Sequence, residues 1–174
     1  MKYPKRKTIR LKDYDYGQND AFFVTVCTHD RVKLFGEIET NGVGAALRGR
    51  PFRPDKMIER WLFELENKFE NVKIDSYCVM PDHIHFILLH FTGDHIGSPL
   101  PDMVGWFKTM TTNAYIRGVK SGIYPRFNQK VWQRGYYEHI IRNDEDMFEA
   151  QKYILGNPAK WYESKMFKQS VYRD

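Results

Sequence analysis

The sequence predicts an α+β fold, a single antiparallel sheet covered by helices, with elements in the order strand, helix, strand, strand, helix, strand, helix. Three observations carry this expectation. Short runs rich in β-branched and aromatic residues alternate with longer stretches in which apolar residues recur every three or four positions. Two of the strand-like runs meet across Pro81-Asp82, where proline fixes φ and aspartate bonds its own backbone, so they should pair as a hairpin. The first six elements then have the split β-α-β-β-α-β arrangement of a ferredoxin-like sheet, and the seventh is an added C-terminal helix.

Residues 1–19 are polar, basic and tyrosine-bearing, and read as an extended arm. Residues 21–29, Ala-Phe-Phe-Val-Thr-Val-Cys-Thr-His, form the first strand and end in a polar turn at His29-Asp30-Arg31. Residues 40–54 are rich in Gly, Arg and Pro and read as a flexible insertion loop. Arg48, Arg50 and Arg53 in it suit either a phosphate or bulk water. Pro54-Asp55 opens the first helix, whose apolar stripe is Ile58, Trp61, Leu62, Leu65 and Phe69. Strands follow at 71–79 and 83–91, then a Gly- and Pro-containing loop.

The second helix spans about 100–119, with Val104, Phe107, Met110, Thr111, Ala114 and Tyr115 on one side and Gly118 and Gly122 near its end. Residues 132–142 read as the fourth strand. Asn143-Asp-Glu-Asp is an N-cap followed by acidic residues in the first turn, as the helix dipole favours. The last helix should run through Leu155, bury Phe148 and Ile154, and stop at Gly156-Asn157-Pro158. Beyond it, the tail from Ala159 has room for one more helical turn.

A chain of 174 residues with 42% apolar content supports one domain with a real core, and no internal repeat or linker divides it. The two cysteines, Cys27 and Cys78, lie in strand-like runs, which speaks against a disulfide scaffold or a zinc-type pair. No apolar run approaches the roughly 18 residues of a membrane span, and no apolar segment follows the basic start. A soluble cytoplasmic protein is expected. Net charge is +5, pI about 9.1 and aromatic content 16%. Basic charge among aromatics suits unpaired nucleic acid, where charge tracks phosphate and rings stack on bases. A plain solvated positive face fits equally well.

The chemistry concentrates at His83 and His85. On a strand they share a face, roughly 6–7 Å apart at Cα, while Ile84 and Phe86 face the other way and His90, at odd spacing, faces away from the pair. Two imidazoles in an otherwise apolar strand make either a structural pair or half of a metal site. Tyr153 and Asn157 lie four apart and share a helix face. Read alone, Tyr153 is as well placed packing on the core, and Asn157 as a helix-stop residue.

The run Val79-Met-Pro-Asp-His-Ile-His-Phe-Ile resembles the His-hydrophobe-His core of IS200/IS605-type transposases, within the HUH group of single-strand endonucleases. The runs Trp132-Gln-Arg-Gly-Tyr-Tyr-Glu-His-Ile-Ile-Arg-Asn and Tyr153-Ile-Leu-Gly-Asn-Pro resemble the REP-associated tyrosine transposase branch. The likeness covers roughly residues 21–161, apart from 40–54. It implies a ferredoxin-like (RRM-like) sheet and a helix carrying the nucleophile. It also implies cleavage and rejoining of single-stranded DNA through a 5′-phosphotyrosine. On the family pattern Tyr153 is the catalytic nucleophile, and His83, His85 and Asn157 bind a divalent metal, Mg²⁺ or Mn²⁺. Single-stranded DNA, with hairpin ends, is the implied partner, and Arg10, Lys108, Arg134, His139 and Lys152 are candidates to touch it. A homodimer is compatible with the family, and the residues do not choose between one chain and two. The competing reading is a non-catalytic nucleic-acid-binding module on the same sheet.

Overall fold

A computed structural model describes residues 20–40, 45–48, 53–91 and 100–171. Its main sheet holds β1 (Asp20–Cys27), β4 (Val72–Met80), β5 (His83–His90) and β6 (Tyr137–Ile141). A separate two-stranded sheet pairs β2 (Glu37–Thr40) with β3 (Ala45–Arg48). The helices are α1 (Pro54–Lys68), α2 (Leu100–Lys120) and α3 (Asp144–Val171). The main sheet runs β4-β5-β1-β6 with every neighbouring pair antiparallel. That is the ferredoxin-like order the sequence predicts, with β1 and β5 at the centre.

Strand alternation divides the side chains between two faces. Phe22, Val24 and Val26 of β1 and Ile84, Phe86 and Leu88 of β5 are buried in the main core. Against them pack Ile58, Leu62 and Leu65 of α1 and Val104, Phe107 and Tyr115 of α2. The opposite face carries Phe23, Ile87 and Ile141, over which α3 lays Ile154. Because β5 is covered on both sides, its residues 83–88 are all buried, which is why the strand reads as a continuous apolar run interrupted only by histidine. Cys27 and Cys78 are both free thiols.

Four expectations need correction. Residues 45–48 form a strand paired with Glu37–Thr40, where the sequence suggested only a loop. Ala-Ala-Leu-Arg has little strand propensity, and its pairing across a hairpin overrides that weak local signal. Residues 41–44 and 49–52 of the expected insertion loop and the whole N-terminal arm lie outside the described residues. The fourth strand is shorter than predicted. Trp132 makes only an isolated bridge to Thr28, and regular pairing begins at Tyr137. Trp132 is instead anchored by its indole N–H, which donates to the buried Thr111 hydroxyl at 2.9 Å.

The last helix does not stop at Gly156-Asn157-Pro158. α3 continues through Pro158 to Val171. Proline inside a helix removes one backbone bond and costs on the order of 3 kcal/mol. Docking of the face that carries Ile154, Asn157 and Trp161 offsets that loss. Phe148, expected in the core, is 60% exposed, because it lies on the side of α3 turned away from the sheet. Among the described residues no helix is long and apolar enough to cross a membrane.

Candidate active site

The hairpin at Pro81-Asp82 sets up the site. β5 begins immediately after the turn, so His83 is its first residue and His85 lies two further on, across from Thr25 of β1 and Cys78 of β4. Both histidines are 5% exposed. Their Nε2 atoms converge to 3.0 Å, with the rings nearly perpendicular at 79°. Each Nδ1 is engaged from behind. Asp82 meets His83 Nδ1 through Oδ1, and the Thr25 hydroxyl meets His85 Nδ1 at 2.7 Å. Arg31 backs the Asp82 carboxylate at 3.4 Å. Phe23 stacks on the His85 ring at 5.4 Å. Burial, reinforced by the neighbouring His83, pushes the His85 pKa down to about 3, so this ring is neutral at physiological pH.

α3 supplies the opposing wall. The Tyr153 ring lies 5.2 Å from His85 and 5.8 Å from Phe23, edge-on to both. Two turns later, Trp161 lies 5.8 Å from His83. Asn157 falls midway on the same helix face and is buried, 8% exposed. Residues 153, 157 and 161 therefore form one stripe laid along the histidine pair, which requires the helix to continue past Pro158. Tyr153 is 44% exposed and open to solvent on its far side.

The remaining predicted residues separate. His139 lies on the same sheet face, across from Phe23, and its Nε2 contacts both oxygens of Asp146 at 2.8 and 2.9 Å. That hydrogen bond holds the Asp146 carboxyl below its ordinary range. Lys108 is turned toward the chain's own backbone. Its ammonium donates to the carbonyls of Gln133, Arg134 and Gly135 at 2.6, 3.0 and 3.3 Å. It thus fixes the segment that exposes Arg134. Lys152 is exposed and pairs with Glu149 at 3.4 Å. The ammonium of Lys160 lies 5.9 Å from the Tyr153 ring centroid. Its seven-residue spacing was visible in the sequence but unread. Arg10 lies outside the described residues.

Residues 83 and 85 fit a metal-binding role by three criteria. Their Nε2 atoms converge, burial keeps the His85 ring neutral so that it offers a lone pair, and the Nδ1 positions are held by a carboxylate and a hydroxyl, as outer-shell partners of ligating histidines are. Cis donors of an octahedral ion with bonds of about 2.1 Å are about 3.0 Å apart, in line with the observed Nε2 separation. Among the described residues no cluster of three or more His, Cys, Asp or Glu is arranged for a metal. Asn157 lies on the helix stripe that faces the pair, and its carboxamide oxygen would be the group to complete the set.

The site is thus a ferredoxin-like sheet whose inner strand turns two histidines toward a tyrosine-bearing helix. The family model described as "Transposase IS200 like" matches residues 53–157, a span that runs from the start of α1 through Asn157. The chain belongs to this family. Two proteins of Haemophilus influenzae are similar to it. One, an uncharacterized protein, is 28% identical over 178 residues, covering 93% of each chain. The other carries the name REP-associated tyrosine transposase and is 26% identical over 152 residues, covering 84% of this chain and 74% of that one. Among solved structures, a REP-associated tyrosine transposase bound to a REP hairpin superposes with a TM-score of 0.55 at 20% identity. It covers 87% of this chain and 73% of its own, a likeness of fold.

Proposed function

We propose that this transposase cleaves and rejoins single-stranded DNA through a covalent bond to Tyr153. The observation that carries the reading is the approach of the Tyr153 ring to His85, 5.2 Å between centroids, within one chain. This proximity supports a site assembled in cis. The phenolic oxygen of Tyr153 attacks the scissile phosphorus, the P–O3′ bond breaks, and the products are a 5′-phosphotyrosine and a free 3′-OH. In the reverse direction a 3′-OH attacks the phosphotyrosine and the phenol leaves, so the diester is restored without a nucleotide cofactor. His83, His85 and Asn157 would hold a divalent cation, Mg²⁺ or Mn²⁺, which when bound polarises the phosphoryl oxygens and stabilises the departing 3′ oxygen.

The chain's own residues orient the reaction. Asp82 and Thr25 fix the imidazoles, and Phe23 and Trp161 pack against their rings. Lys160 places positive charge near the phenol, where it favours the arriving phosphate. Exposed Arg134, His139 in the cleft beside Tyr153, and Lys152, its neighbour in the chain, serve as DNA contacts in this reading, and Lys108 holds the Arg134 segment. A DNA hairpin end is the proposed substrate, by analogy with the hairpin-bound structural relative.

The test is a denaturing gel of the protein incubated with labelled single-stranded hairpin DNA and Mn²⁺ or Mg²⁺. A covalent adduct is expected with the native chain. It should fall at least about 100-fold with Tyr153→Phe and be lost with His83→Ala or His85→Ala. An adduct that survives Tyr153→Phe would move the nucleophile elsewhere.

A further inference from the structure

An open cleft of about 440 Å³ adjoins the proposed nucleophile on the β6 side, and the reaction just described assigns it no occupant. Its floor is sheet: Phe23, Thr25 and His85 on one side, Tyr137 and His139 on the other. Its far wall is α3, through Asp146, Ala150 and Tyr153. The volume lies in the range of small-ligand sites. Two features distinguish it from a generic groove. Tyr137 is 52% exposed at the edge of the sheet, an aromatic surface that the core does not consume. His139 is held by Asp146 through Nε2 at 2.8 and 2.9 Å, so that its tautomer is set and Nδ1 is the ring's remaining hydrogen-bonding atom.

We infer that this cleft receives one unpaired nucleobase of the DNA strand, from a nucleotide adjoining the scissile phosphate. Tyr137 supplies the stacking surface and His139 Nδ1 meets the edge of the base. The inference rests on the proposed DNA reaction at Tyr153 and deepens it, because it assigns a sequence-reading role to residues outside the metal and nucleophile set. The chemistry fits a base better than a phosphate. An aromatic ring, a carboxylate-tethered imidazole and the Asp146 carboxylate line the cleft, and the carboxylate disfavours an anion. Asp146 acts as a positioning residue, since it reaches the base only through His139.

The experiment uses full-length Tyr153→Phe protein, which binds without cleaving, and a pool of DNA hairpins flanked on both sides by randomised single-stranded nucleotides. Bound DNA is sequenced. The inference expects enrichment of a particular base at a single flanking position. Adding Tyr137→Ala should weaken binding about fivefold or more. Adding His139→Gln or Asp146→Asn should erase the preference at that position and leave the others unchanged. Replacing that nucleotide by an abasic one should cost the parent protein as much as Tyr137→Ala does, and should cost the Tyr137→Ala protein nothing further. Both Tyr137 and His139 are substantially exposed, at 52% and 43%, so their replacement spares the core. An unchanged base preference with His139→Gln and Asp146→Asn, an abasic cost that persists in full in the Tyr137→Ala protein, or no binding to any pool member would each overturn the inference. Failure of the transposase reading looks different: native protein that forms no adduct while the variants still lose a base preference would sink the reaction and leave the cleft assignment standing.

Discussion

At the scale of single residues, His85 links stability to pH. Its folded-state pKa of about 3 lies below the ordinary imidazole value near 6.5. Between those values the unfolded chain takes up a proton that the buried ring refuses. The unfolded state then binds more protons, so stability rises with pH and is lost as pH falls from about 6.5 toward about 3. The slope contributed by this one group approaches about 1.4 kcal/mol per pH unit. Urea unfolding of the metal-free protein between pH 7 and pH 5 should show a falling midpoint, and His85→Gln should flatten it. An unchanged slope in the variant would show that His85 is not the group responsible. The same burial makes the ring a ready lone-pair donor at neutral pH, so a feature costly to the fold serves the site.

At the scale of elements, α3 decides whether there is a site at all. Ile154 is fully buried against Ile87 and Ile141, whereas Leu155, its neighbour, is 76% exposed. Ile154→Ala should therefore cost about 2–4 kcal/mol in denaturant unfolding, and Leu155→Ala should stay within about 0.5 kcal/mol. Equal costs would mean that α3 is docked in another rotation. The His83–His85 pair and the hairpin turn were legible in the sequence because they depend on local alternation and a strong turn signal. Tyr153 and Asn157 were legible as partners on one helix face, but from spacing alone Tyr153 suited the core equally well. The continuation of α3 was hidden. Gly156-Asn157-Pro158 is a strong local stop, and only contacts distant in sequence, such as Trp161 against His83, override it. The short β3 was hidden for the same reason, as was the His139–Asp146 pair, which joins a strand to the helix that follows it.

At the scale of the whole molecule, a net charge of +5 bears on DNA affinity and its response to salt. Each phosphate neutralised on a single strand contributes a slope of about −0.7 to log K against log salt. Contacts to two to four phosphates would give a total slope of about −1.4 to −2.8. Titrating a fluorescent single strand across a salt series should find a value in that range, and Arg134→Ala should reduce its magnitude by about 0.7. A slope near zero would remove the backbone contacts from the account. The two faces of the sheet divide the labour: α1 and α2 seal one with the main core, and the other carries both chemistry and the single long helix that covers it.

The alternation along β5 also constrains how such a chain can change over generations. Ile84 and Phe86 fill the core under α1 and α2, and His85, between them, faces Tyr153. Deleting Ile84 alone would shift every later side chain of the strand to the opposite face. Imidazole would enter the hydrocarbon interior and a phenylalanine would stand in the place of His85, facing Tyr153. One codon lost would thus damage fold and activity in the same stroke, whereas an exchange such as Ile84→Val would trouble neither greatly. Descendants of this sequence can vary in spelling along β5 but not in length, and insertions and deletions must accumulate in the connections between elements.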